Sequence, residues 1–249
     1  MERVSCGIKE IDEILGGGFP RGSLILLLGD PGAGKFAFCN AFIADGIKRR
    51  EPCLYVTTEP PEVIRSALEE LGINTYQSES DGIFRIVDCH SWLMKEWIPG
   101  VLEREKYAID EFTLPKIDYQ VWKARKEIGS GGRTAFYSLT DLFIHIGDRR
   151  AIVELIKSLR ARTRELKTTM LADLDLKTQE SSWTRALMHV CDGIILFRTL
   201  EFEDKFLRTF RVIKMPHEHD SHLYCFDLRG QKILNIRRYS GALPQIELP

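Results

Sequence analysis

The chain has no pair of cysteines spaced for chemistry. Its six cysteines (Cys6, Cys39, Cys53, Cys89, Cys191, Cys225) are scattered, with no C-x-x-C, which argues against a zinc module or a disulfide framework. Several lie in apolar runs such as "EPCLYVTT" and "LYCFDL", as buried reduced thiols do. An excess of either charge is missing too. Thirty-five basic side chains face 36 acidic ones, a net charge of −1, so nothing global advertises nucleic acid or a membrane surface. No apolar run approaches the roughly 20 residues that span a bilayer, and "MERVSCGIKEIDEIL" lacks the continuous apolar core of a secretory leader. A cytoplasmic protein with no membrane contact is expected.

What is present is a globular composition, 44% hydrophobic and 29% charged over 249 residues, read as a single domain spanning 1–249. "LILLLG" (24–29) is a short continuous apolar run, as in a strand buried on both faces. "KFAFCNAFIADGIKRR" has helical spacing. "CLYVTTE" is a second strand, and "PPEVIRSALEELG" a helix entered through proline and left at Gly72. "GIFRIVDC", "RTAFYSL", "TTMLADL" and "CDGIILFR" continue the strands. Before the third of these, "DRRAIVELIKSLRARTRELK" is a helix with Ile152, Leu155, Ile156 and Leu159 on one face. The alternation predicts an α/β fold, a mostly parallel central sheet with helices on both faces. "KFLRTFRVIKM", "HLYCFDL" and "KILNIRR" then predict an antiparallel meander at the C-terminal edge. The stretch 92–126, rich in charge, Trp and Pro, fits the scheme poorly and reads as a helical insertion or a lid.

Between the first strand and first long helix lies "GDPGAGKF": Gly29, Asp30, Pro31, Gly32, Ala33, Gly34, Lys35 and Phe36. A P-loop runs G-x-x-x-x-G-K and then Ser or Thr. Its backbone N–H groups and helix N-terminus cradle phosphate, and the hydroxyl holds Mg²⁺. The position after strand and before helix is right for a nucleotide-binding nest; the last letter is not.

"SCGIKEIDEILGGGFPRGSLILLLGDPGAGK" resembles the opening of KaiC-like and RadA-related ATPases of the RecA superfamily. The similarity runs on through "LYVTTEPPEVIRSALEELG", "RTAFYSLTDLF" and "VCDGIILFR" to the C-terminal strands. It implies a RecA-like P-loop domain and a tendency to form homo-oligomers, or hetero-oligomers with a RecA/KaiC-like paralogue. It also implies roles, several of which this sequence breaks. Phe36 stands where the family has Thr or Ser. Tyr137 stands where it has the metal-holding Walker-B aspartate, and Asp141 comes four residues too late to replace it. Lys214 matches a trans-acting lysine, but Pro216 replaces the finger arginine. Glu59 matches the water-activating glutamate, with Pro60 beside it.

Phosphoryl transfer depends on positioning and charge neutralisation, and an arginine finger alone is worth about 10³–10⁵ in rate. Three departures on one set of phosphates lead to the expectation of a catalytically degenerate pseudo-ATPase, with Glu59 the catalytic residue of any remaining turnover. Weak binding of ATP or ADP at 29–36 stays open, because the nest and Lys35 need neither Phe36 nor Tyr137; Mg²⁺ is not expected. The role would be that of a regulator or oligomeric partner. Two alternatives stay open: an ATPase with displaced metal ligands, using Asp141 or Glu59, and a DNA-binding RadA paralogue acting in recombination or repair.

Outside the loop, "PHEHDSH" gathers His217, Glu218, His219, Asp220 and His222, read as a polar loop rather than a metal site. The helix carrying Arg149, Arg150, Lys157, Arg160, Arg162, Arg164 and Lys167, with Arg237 and Arg238, reads as a solvated face before it reads as a nucleic-acid patch. Trp92, Trp97, Trp122 and Trp183 read as core or interface anchors.

Overall fold

The computed structural model of the chain describes residues 2–176, 180–202 and 205–240. In β3 (Leu24–Gly29) every residue is buried, yet successive side chains enter different cores. Ile25 and Leu27 join one cluster; Leu24, Leu26 and Leu28 join the other. A strand's period of two makes this unavoidable, so a run apolar at every position needs cover on both faces.

The first core is covered by α2 (Lys35–Lys48), through Phe38, Phe42 and Ile43, and by α3 (Pro61–Glu70), through Ile64 and Leu68. A short α1 (Lys9–Ile14) and the two-stranded ribbon of β1 (Arg3–Val4) and β2 (Phe19–Pro20) close that side. The second core is covered by α5 (Leu114–Ile128), α6 (Leu139–His145), α7 (Arg149–Glu165) and α8 (Ser181–Val190). On α7 the side chains of Ile152, Leu155, Ile156 and Leu159 all point into it, the stripe expected from the sequence. Asp148 caps that helix, accepting from Ala151 N–H at 3.0 Å.

The remaining strands are β4 (Cys53–Thr57), β5 (Phe84–Asp88), β6 (Arg133–Tyr137), β7 (Thr169–Asp175), β8 (Gly193–Phe202), β9 (Lys205–Lys214), β10 (Tyr224–Arg229) and β11 (Lys232–Arg238), with helix α4 (Thr75–Ser80) before β5. They form one sheet in the order β11-β10-β9-β8-β3-β7-β6-β4-β5. From β8 to β5 the neighbours run parallel; β8 to β11 form the antiparallel meander. The α/β architecture, the mostly parallel sheet and the C-terminal meander are those expected from the sequence.

The stretch 92–126 holds 3₁₀ turns at Ser91–Met94 and Leu102–Arg104, then most of α5. Ile117, Val121, Ala124 and Ile128 of α5 are buried in the second core, so this helix covers the sheet. Trp97, before it, is 81% exposed. All six cysteines are buried and unpaired. Burial pushes the thiols of Cys53 and Cys191 up to about 12, which keeps them protonated at neutral pH.

Candidate functional site

Parallel strands end on one edge of the sheet, and loops from adjacent strands meet there. At that edge Gly29 of β3 is in register with Asp175 of β7, and Tyr137 of β6 with Thr57 of β4. The stretch 29–36 leaves β3 at this edge and enters α2. Gly32 (φ +72°) and Gly34 (φ +104°) hold the left-handed conformations that favour glycine and on which nests of backbone N–H groups are built. A Cβ on Gly34 would also lie 2.9 Å from the Phe226 ring, so the close packing of β10 on the loop requires glycine.

The loop is anchored by its neighbours. Asp30 Oδ2 accepts from Thr199 N–H at 3.0 Å and pairs with Arg198 Nε at 3.1 Å. Arg208 Nε donates to Gly32 O at 3.1 Å, and Ala33 N–H to Asp30 O at 3.2 Å.

Lys35 has a different situation from a free phosphate lysine. It is only 4% exposed, and its Nζ donates to Asp175 Oδ1 at 2.5 Å, Asp30 O at 2.9 Å and Gly29 O at 3.3 Å. Asp173 Oδ2 stands 3.5 Å away. Asp173 is buried, and neither of its carboxyl oxygens has a hydrogen bond of ordinary geometry. Burial pushes its acid up to about 7, with nearby Lys35 pulling the other way. The lysine charge is thus neutralised within the chain, by residues that sequence reading missed. "TTMLADL" was visible only as an apolar strand. The signal that could have exposed its acids is the pair of polar residues at its carboxyl end, next to the P-loop strand in the predicted order.

The magnesium position fails a direct chemical test. Phe36 supplies no oxygen, and its ring packs against Tyr137 with centroids 5.0 Å apart at a tilt of 57°. Burial raises the Tyr137 phenol well above its ordinary range, so it stays neutral. A hard divalent cation needs anionic or carbonyl oxygens; a phenyl ring packed on a neutral phenol does not fit it.

Other candidates are placed as follows. Glu59 is exposed just beyond β4, its N–H bonded to Thr57 Oγ1 at 3.0 Å. Asp141, on α6, accepts a short hydrogen bond from Thr58 Oγ1, which in turn accepts from Ser138 N–H at 3.1 Å. Lys214 donates to Cys191 O at 2.6 Å and Met188 O at 3.2 Å, closing the C-terminal end of α8 in its own chain. Pro216 is exposed. His217 donates from Nε2 to Leu15 O at 2.6 Å and accepts from Arg3 at Nδ1, while Asp220 accepts from Tyr224 and His222. Among the described residues no three His, Cys, Asp or Glu side chains converge for a metal. The basic helix is largely paired: Arg160 and Arg164 both reach Asp192, at 2.6 and 3.1 Å, and Arg162 reaches Asp118.

The sequence profile of the family described as "ATPase: KaiC" matches residues 4–238. The chain belongs to the KaiC ATPase family. Among its relatives, a UPF0273 protein of Methanopyrus kandleri is 31% identical over 237 residues, covering 94% of this chain and 91% of the relative. One from Thermotoga maritima is 29% identical over 237 residues, covering 94% and 96%. The circadian clock protein KaiC3 of Synechocystis is 25% identical over 219 residues, 86% of this KaiC-family chain but 41% of its own length. The crystal structure of a KaiC-like protein from Pyrococcus horikoshii superposes with a TM-score of 0.75 at 23% identity, covering 94% and 98% of the two chains, and shares the fold.

Proposed function

We propose that this KaiC-family chain is a catalytically degenerate P-loop protein with little or no ATPase activity. It keeps a weak nucleotide site and acts as a regulator or oligomeric partner, assembled with itself or with an active paralogue. The observation that carries this reading is the Phe36–Tyr137 ring pair standing where a hydroxyl and a carboxylate would share a metal. Without the metal, charge building on a transferring phosphoryl group has one fewer cation against it. The Lys35–Asp175 ion pair adds to the deficit, since an incoming phosphate must compete with a carboxylate already in place.

Binding and turnover separate at this point. The backbone N–H groups of Gly32, Gly34 and Lys35 and the start of α2 need no metal, so ADP or ATP would be held by them, weakly and without regard to Mg²⁺. Calorimetric titration with ATP and ADP, with and without Mg²⁺, tests this on the native chain and on the Phe36→Thr/Tyr137→Asp double variant. The native protein is expected to bind equally with and without the ion and to show no phosphate release. The double variant is expected to gain a Mg²⁺-dependent increase in affinity. Turnover by the native chain that is lost on changing Lys35 or Glu59 would sink the proposal.

A further inference from the structure

A cavity lies far from the phosphate loop, between α5, α7 and the amino ends of β4, β6 and β7. It encloses about 300 Å³, room for roughly ten water-sized groups. Leu54, Leu159 and Met170 at its base are buried and apolar, while Trp122 and Lys126 at its rim are exposed. Met170 and Asp175 are five residues apart on β7, which puts the cavity roughly 16 Å from the Lys35 pair. The two sites therefore share a strand but no wall.

The unusual element is Arg125. It is 7% exposed and lines the cavity. Other buried arginines of the chain have carboxylates: Arg133 meets Asp45 and Glu51, and Arg65 meets Glu79 and Glu105. Arg125 meets none among the described residues. Its bonds go to neutral oxygens: Gly131 O at 3.2 Å, Arg133 O at 2.8 Å and Thr134 Oγ1 at 2.5 Å. Of its five N–H donors these use three, leaving Nε and one hydrogen of Nη1. A second donor lines the same space. Arg162 gives Nη2 to Asp118, while its buried Nε has no hydrogen-bond partner. A buried cation without an anion is a costly arrangement unless something supplies the missing charge, and the walls around this one are apolar side chains and neutral hydroxyls with no carboxylate among them.

We propose that this cavity binds a small amphiphilic anion, an apolar body of roughly ten non-hydrogen atoms bearing one carboxylate that pairs with Arg125. Lys126, with Nζ 5.2 Å from the centre of the Trp122 ring, adds positive charge at the mouth. Trp122 gives the apolar body a flat surface and the experiment a reporter. Burial has already pulled the Arg125 guanidinium down to about 10, the direction a bound anion would reverse.

The full chain is titrated with 2-naphthoate and with its neutral counterpart 2-naphthamide, followed by calorimetry and tryptophan fluorescence. Naphthoate is expected to bind one to one, at least about tenfold tighter than the amide, as a charge-assisted hydrogen bond requires. The fluorescence change is expected to vanish in Trp122→Phe while the heat remains. Arg125→Gln is expected to bring the two affinities within about twofold. Because that variant also loses bonds to the β6 backbone, Leu166→Trp serves as a second test: it fills the cavity, leaves Arg125 intact and should weaken naphthoate by about tenfold or more. Equal affinity for acid and amide, undiminished binding in Leu166→Trp, displacement of naphthoate by ATP, or no binding of either probe to the folded chain would each overturn the proposal.

Discussion

Asp173 lies on β7, paired with β3, and its buried carboxyl stands 3.5 Å from Lys35 Nζ. Its acid, pushed up to about 7 by burial, has a consequence for stability. Below about pH 4 the side chain is protonated in both folded and unfolded chains and has no effect. As pH rises from there toward 7 the unfolded chain ionises first, so folding loses free energy, and above about 7 the full penalty stands. Asp173→Asn removes the ionisable group at nearly constant shape. It is expected to raise stability at pH 8 by on the order of 2–4 kcal/mol, and to flatten the decline between pH 4 and 7. Urea unfolding across that range checks it; a variant less stable than the parent at pH 8 would show that the charge on Lys35 needs both acids.

Elements were more legible than residues. Strands buried on both faces are continuous apolar runs, and α7 shows its stripe in the spacing of four aliphatic residues; neither depends on distant neighbours. α5 was harder, because Trp122, Tyr119 and several charges blur its face, although Ile117, Val121, Ala124 and Ile128 do fall on one side. Nor could the sequence show how tightly elements fit. Gly46 lies inside α2, where Gly→Ala ordinarily stabilises an exposed helix by about 0.5–1 kcal/mol. Here a Cβ would lie 2.6 Å from Arg133 Cδ and 2.6 Å from Cys53 Sγ. Arg133 cannot give way freely, since it is fully buried and holds Phe42 O, Ser5 O, Asp45 and Glu51 together. Overpacking typically costs 1–3 kcal/mol, and a disturbed buried ion pair costs more. Packing outweighs propensity, so Gly46→Ala is expected to lower stability by roughly 2 kcal/mol or more, visible as a lower urea midpoint with unchanged slope. A gain in stability would mean that α2 shifts as a body.

For the whole molecule, the strand series and its final meander followed from patterning, and the family resemblance pointed to the edge where the P-loop leaves β3. On the proposed reading this edge is closed by its own side chains, and the Phe36 and Tyr137 rings were legible because a motif assigns each position a chemistry. The acid on Lys35 was not, because it comes from β7, a neighbour distant in sequence. Thermal stability reads that closure directly, because a ligand that binds only the folded chain stabilises it by RT ln(1 + [L]/Kd). For a native site with Kd near 1 mM, 1 mM Mg²⁺-ATP adds only about 0.4 kcal/mol. At roughly 2–4 °C per kcal/mol for a chain of this size, that is a shift of about 1–2 °C. Phe36→Thr/Tyr137→Asp/Asp175→Asn supplies a hydroxyl and a carboxylate and removes the closer of the two acids on Lys35. Should its Kd fall to about 1 μM, the same nucleotide adds about 4 kcal/mol and the shift grows to about 8–16 °C. Replacing Mg²⁺ by EDTA should leave the native shift unchanged and remove most of the variant's. A native chain already showing the large, magnesium-dependent shift would mean that nucleotide displaces both the rings and Asp175, and that the closed edge is a resting state of a working site.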